Sequence, residues 1–154
     1  MQKALPHGSA FCYTPAYMAS LEELRDSRLA KMNRLIEAGI DPFPARIDRD
    51  FPLAEVRDRF SVLSASPDAT YAIAGRIMAI RGQGAILFVV LDDGTARFQC
   101  VFKKDAMSED IFSLFTETAD IGDFISATGT FFTTERGEPS LLAAKWQMAT
   151  KALL

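Results

Sequence analysis

The stretch from Gly75 to Gln99, GRIMAIRGQGAILFVVLDDGTARFQ, holds the side chains best suited to chemistry. It offers an aromatic ring at Phe88, an amide at Gln99 and guanidinium groups at Arg76 and Arg81. A ring on an exposed sheet surface can take an unpaired base by stacking, worth about 1–3 kcal/mol per base. Arginine and glutamine beside it can donate to base carbonyls or to phosphates. They act together only if they reach one surface, so parity along the strands decides the matter.

Within the third strand of this stretch, Phe98, Cys100 and Phe102 share one parity, and Arg97, Gln99, Val101 and Lys103 the other. A half-buried strand puts the first set in the core and the second outside. The preceding strand is nearly all apolar, with Leu87, Val89 and Leu91 set against Ile86, Phe88, Val90 and Asp92. The charge of Asp92 sends its set toward water and places Phe88 on the surface beside Gln99. Residue type points the other way, because Phe is usually buried. Both readings of Phe88 stand at this level. Arg76 and Arg81 have opposite parity and share a face only if a bulge intervenes.

The elements that must position these groups follow from hydrophobic period and turn chemistry. Residues 1–19 have no clear period and read as a disordered tail or an extension, with Met18 the expected working start because helix signals begin directly after it. Residues 20–69 hold an N-terminal helix, a Pro-rich segment and a short helix. Ser20-Leu21-Glu22-Glu23 is a capping box. Leu21, Leu24, Met32, Leu35 and Ile36 follow at helical spacing, and Gly39 with Pro42 ends the helix. Arg25, Arg28, Lys31 and Arg34 recur every third residue. A solvated face is the plainer reading, and a basic surface on an RNA backbone the functional one. Pro52 to Phe60 reads as a short helix with Pro at its first position.

From residue 70 to 154 the period is that of strands. They are expected at about Thr70–Ile80, Ala85–Asp92, Ala96–Lys103, Phe124–Thr133 and Pro139–Thr150. A helix at Asp105–Thr118, with Ile111, Leu114 and Phe115 on one face, separates the third from the fourth. This β-β-β-α-β-β order is the plan of a five-stranded Greek-key OB barrel, a mainly β fold with helices that binds oligonucleotides on one face.

The 154 residues carry a net charge of −3, which does not match a duplex-DNA binder and leaves only a local basic groove for nucleic acid. Two cysteines, Cys12 and Cys100, and one histidine, His7, are too few for a structural zinc or a disulfide scaffold. A reducing cytoplasm is the simplest compartment. No apolar run reaches the roughly 20 residues of a membrane span.

Taken in order, several segments resemble the amino-terminal part of a bacterial-type class II lysyl-tRNA synthetase. They are RLAKMNRLIEAGIDPFPARI, AGRIMAIRGQG, FVVLDDGTARFQC, DIGDFISATGTFFTTERGEPSL and the final KALL. Aspartyl- and asparaginyl-tRNA synthetases share the OB domain, but the helix with GIDPFP favours the lysyl branch. The resemblance implies anticodon binding by Arg81, Phe88, Gln99 and Glu138: a stacking ring, two donors for the carbonyls of uracil, and a carboxylate that accepts from its ring N–H or orients a neighbour that does. It implies tRNA-Lys as partner, no membrane, and a homodimer for the full-length parent. The parent's ATP and magnesium belong to a catalytic domain expected to be absent here, so neither catalytic residues nor cofactors are expected in this chain. Where the family often has a Lys and a small polar residue before the aromatic, this chain has Ala85, Ile86 and Leu87, so one fewer phosphate contact and a more apolar surface are expected there. A free-standing OB module for single strands and a protein-interaction domain are the alternatives.

Overall fold

The computed structural model describes residues 19–154. The expectations for the extension, for Met18, and for Cys12 and His7 fall outside these residues. The chain forms α1 (Leu21–Glu37), α2 (Leu53–Asp58), α3 (Phe60–Leu63), β1 (Tyr71–Gln83), β2 (Ile86–Asp92), β3 (Arg97–Lys103), α4 (Glu109–Thr118), β4 (Phe124–Thr133) and β5 (Pro139–Thr150).

The strands close into a barrel in the order β1-β2-β3-β5-β4, with β3 and β5 the parallel pair. Closure depends on Gly129, at an irregularity in the β4–β5 ladder, where a Cβ would fall 1.8 Å from the Leu142 carbonyl oxygen. Inside lie Ile73, Ile77, Val89, Leu91, Phe98, Phe102, Ile125 and Leu141. The first strand runs three residues past its expected end, because the hairpin ladder continues to Gln83 opposite Ile86.

Each barrel end is plugged. At one, α4 lays Phe112 and Phe115 inward, and the Phe115 ring stacks on Phe102 at 4.2 Å. The buried row is 112–115–118, spaced three apart on one helix face. Ile111, expected on that face, lies at its edge and is exposed. Ser108 caps the helix, which starts later than Asp105. At the other end the single helix expected from Pro52 is two short ones joined at Arg59, and Pro52 is the cap residue instead of the first turn. The free amides of Leu53 and Ala54 donate to Asp93 Oδ2 (2.9 Å) and Thr95 Oγ1 (3.1 Å). The tight turn after β2 therefore caps α2.

The capping box of α1 forms in both directions, and Gly39, at φ 78°, closes the other end with the Ile40 amide bonded to the Leu35 carbonyl. The expected apolar stripe does not pack as such. Leu35 is buried, whereas Leu21 (74% exposed), Leu24 and Ile36 face water. The helix is held instead by its cations. Arg28 donates to the carbonyls of Ala152 and Ile121, Lys31 pairs with Asp120, and Arg34 pairs with Glu117 at 3.2 Å. None of these three is free for an RNA backbone: the loop after α4 and the C-terminal segment take Arg28 and Lys31, and the last turn of α4 takes Arg34.

Behind this contact lies a buried charge cluster. Lys151 Nζ, with its side chain fully buried, donates to Asp120 Oδ2 and Asp123 Oδ2, both at 2.7 Å, and to the Thr118 carbonyl at 2.9 Å. All three ammonium protons have acceptors. Burial alone would raise the pKa of Asp120, but Lys151 and Lys31 outweigh it and hold the carboxyl below its ordinary value.

Candidate nucleic-acid interface

The barrel surface over β1, β2 and β3 is a grid whose rows follow from the ladder registers. Across the strands run Gln83–Ile86–Lys103, then Arg81–Phe88–Val101–Leu142, then Ala79–Val90–Gln99–Ser140, then Arg76–Asp92–Arg97. Directly paired residues share a face. The β1 ladder slips between Ile77 and Ala79, leaving Met78 as the extra residue of a bulge. That slip brings Arg76 and Arg81 to the same side despite their opposite parity. It is the condition that parity alone could only state.

Phe88 is on the surface. Its side of β2 alternates with the buried Leu87, Val89 and Leu91, and the residue is 37% exposed, enough to offer a ring face. Ile86 beside it is exposed as well. Val101 has the outward parity too, but it is only 1% exposed and lies outside the core cluster. It sits in the middle of its row, between Phe88 and Leu142, so neighbouring side chains cover it.

Gln99 and Glu138 meet through Ser140. Gln99 Nε2 donates to Ser140 Oγ at 2.9 Å, and Ser140 Oγ donates to the Glu138 carbonyl at 3.2 Å. A carbonyl can only accept, so the one hydroxyl proton of Ser140 is committed there. The NH₂ end of the Gln99 amide therefore faces Ser140 in this arrangement. Its oxygen and remaining N–H are turned to the open surface in a fixed sense. Glu138 itself is exposed in the β4–β5 hairpin, where Gly137 takes φ 86°. The Glu138 backbone is tied at both ends, its amide to Thr134 Oγ1 and its carbonyl to the Thr134 amide, each at 3.0 Å.

Ser140 was not legible as part of the site. The available signal was its place two residues after Glu138, at the start of a strand parallel to the one carrying Gln99. Arg81 is exposed opposite Phe88, and among the described residues it has no carboxylate partner, whereas Arg97 is paired to Asp92 at 3.1 Å. The Gly94 amide and then Arg97 hold the Asp92 carboxyl below its ordinary pKa. Arg76 lays its guanidinium over the Phe124 ring, 4.7 Å from the centroid. Among the described residues no group of three His, Cys, Asp or Glu could hold a metal ion, and no helix is long and apolar enough to cross a membrane.

Comparison with known proteins agrees with this geometry. The chain is 39% identical over 135 residues to the lysine–tRNA ligase of Synechococcus sp. (strain RCC307), covering 86% of this chain and 27% of that protein. It is 36% identical over 140 residues to the lysine–tRNA ligase of Streptococcus pyogenes (strain Manfredo), covering 86% and 28%. It is 32% identical over 128 residues to lysine–tRNA ligase 2 of Methanosarcina mazei, covering 83% and 25%. The chain thus spans about a quarter of the length of these curated relatives. A family model for the tRNA anti-codon domain, described as an OB-fold nucleic acid binding domain, matches residues 71–149, just over half of the chain and nearly the whole barrel. With a closed OB barrel presenting an exposed ring beside an oriented amide, this chain belongs to the tRNA anticodon family of OB-fold nucleic acid-binding domains.

Proposed function

We propose that the β1–β3 face grips the anticodon loop of tRNA-Lys, as the anticodon-recognition part of a lysyl-tRNA synthetase. The observation that carries this reading is the exposed Phe88 ring beside a Gln99 amide of fixed sense. A splayed pyrimidine stacks on Phe88, as single-stranded RNA loops allow. Gln99 then offers one N–H and one C=O side by side. Uracil answers with a carbonyl acceptor and its ring N–H donor. Cytosine presents donor and acceptor in the reverse order, so an amide held in this sense by Ser140 disfavours it. Arg81, opposite Phe88, serves the second carbonyl or the adjoining phosphate, and Glu138 closes the rim. On this reading ATP and magnesium act in a part of the synthetase other than this chain, the full-length parent is a homodimer, and the compartment is the cytoplasm.

The test is fluorescence anisotropy of the 154-residue chain with labelled stem-loop RNAs carrying UUU or CCC at the loop centre. UUU should bind more tightly, and Phe88→Ala should lose about 1–3 kcal/mol, or roughly fivefold to 150-fold. Equal binding of both loops would instead favour a single-strand module without base choice. No RNA binding at all would favour a protein-interaction domain.

A further inference from the structure

We infer that Lys103 holds a backbone phosphate of the bound strand next to the base stacked on Phe88. The inference rests on the anticodon reading above and adds a contact to it. Lys103 lies at the end of β3 in the row Gln83–Ile86–Lys103, immediately beside the row of Arg81 and Phe88. Phe88 pairs with Val101, so Lys103 is its diagonal neighbour, and such backbones lie about 7–8 Å apart, within reach of a long side chain. Its parity points it to the open face.

Charge bookkeeping separates Lys103 from the lysine next to it. Lys104 is paired to Glu109 at 2.9 Å. Lys103 has no carboxylate partner among the described residues. In a chain of net charge −3, an unneutralised ammonium beside a stacking ring provides the local field a polyanion needs. Position also favours it. No cation precedes the ring on its own strand, where Ala85, Ile86 and Leu87 lead up to Phe88. Lys103 stands directly across the ladder from Ile86, so β3 supplies the charge that β2 lacks.

One neutralised phosphate on a single strand contributes about 0.7 to the slope of log affinity against log salt concentration. Lys103→Gln should therefore flatten that slope by about 0.7 for the UUU stem-loop. Between 50 and 200 mM salt the wild-type chain should lose about 2.6 times more affinity than the variant. The preference for UUU over CCC should stay unchanged, because a phosphate contact carries no base information. Lys103→Arg should keep the wild-type slope, and Lys104→Gln should leave it unchanged. A wild-type slope in Lys103→Gln, with UUU still preferred, would overturn this contact and spare the anticodon reading. Equal flattening by Lys104→Gln would overturn it as a mere effect of net charge. Absence of RNA binding by the wild-type chain would bring down both.

Discussion

The molecule carries two constellations of polar side chains, and they are built on opposite terms. At the α1 pole, Arg28, Lys31, Arg34 and Lys151 are all taken up by carboxylates or carbonyls of the same chain. On the β1–β3 face, Arg81 and Lys103 have no carboxylate among the described residues, and Gln99 spends only half its amide on Ser140. The pole has the denser run of basic residues in sequence, yet of the four on α1 only Arg25 is left without a partner among the described residues. The face has fewer cations, and they remain open. Availability, more than residue count, separates a brace from a binding surface.

The contrast breaks most severely at Lys151. Removing one partner of a buried ion cluster leaves uncompensated charge in a low-dielectric site, at a cost of about 3–5 kcal/mol. Lys151→Met leaves the fully buried carboxylate of Asp123 without its counter-charge, while Asp120 keeps Lys31. Urea unfolding should show a loss of that size, while the folded fraction at low denaturant keeps its UUU preference. A neutral effect on stability would mean that the pole is not braced by this cluster.

The same contrast explains what could be read from sequence. The order of strands along the chain and the capping box were legible because each depends on local period or local hydrogen bonding. Phe88 stayed undecided because an apolar strand has two equivalent parities until one charged residue, Asp92, breaks the tie. The shared face of Arg76 and Arg81 required a bulge that no residue type announces. The fate of Arg28, Lys31 and Arg34 was hidden for another reason. Their partners lie in the segment 117–121 and at Ala152, far along the chain, and period says nothing about long-range pairing. Ser140 escaped notice likewise, because its meaning depends on a parallel ladder between β3 and β5.

The turn after β2 lies where the open face meets the helical plug, and acid should find it next. Burial would raise the pKa of Asp93. The Thr95 hydroxyl and the amides of Leu53, Thr95 and Ala96 outweigh that and lower it to about 2 from an ordinary 3.8. With its folded-state value depressed, Asp93 contributes stability that is complete above the unfolded value and is lost as pH falls through about 4 toward 2. The group is worth about 2 kcal/mol. Asp93→Asn should remove that part of the acid dependence, read as the difference between the two proteins in unfolding free energy at pH 6 and pH 2.5. Parallel pH profiles would show that the α2 cap does not depend on the charge.

The smallest effect expected is the most informative about the face. Ser140→Ala removes a buried hydroxyl that accepts from Gln99 and donates to the Glu138 carbonyl. That carbonyl still receives the Thr134 amide, so no backbone group is orphaned. The Gln99 amide, however, becomes free to turn over and present its donor and acceptor in either order. Stacking on Phe88 is untouched, so affinity for UUU should change little, whereas CCC should gain. A single hydrogen bond of about 1 kcal/mol sets the scale, and the UUU-to-CCC preference should fall by about fivefold. An equal loss for both loops would make Ser140 a prop for the sheet and nothing more. A fall in the ratio alone would show that base choice is set by one hydroxyl proton committed to a carbonyl.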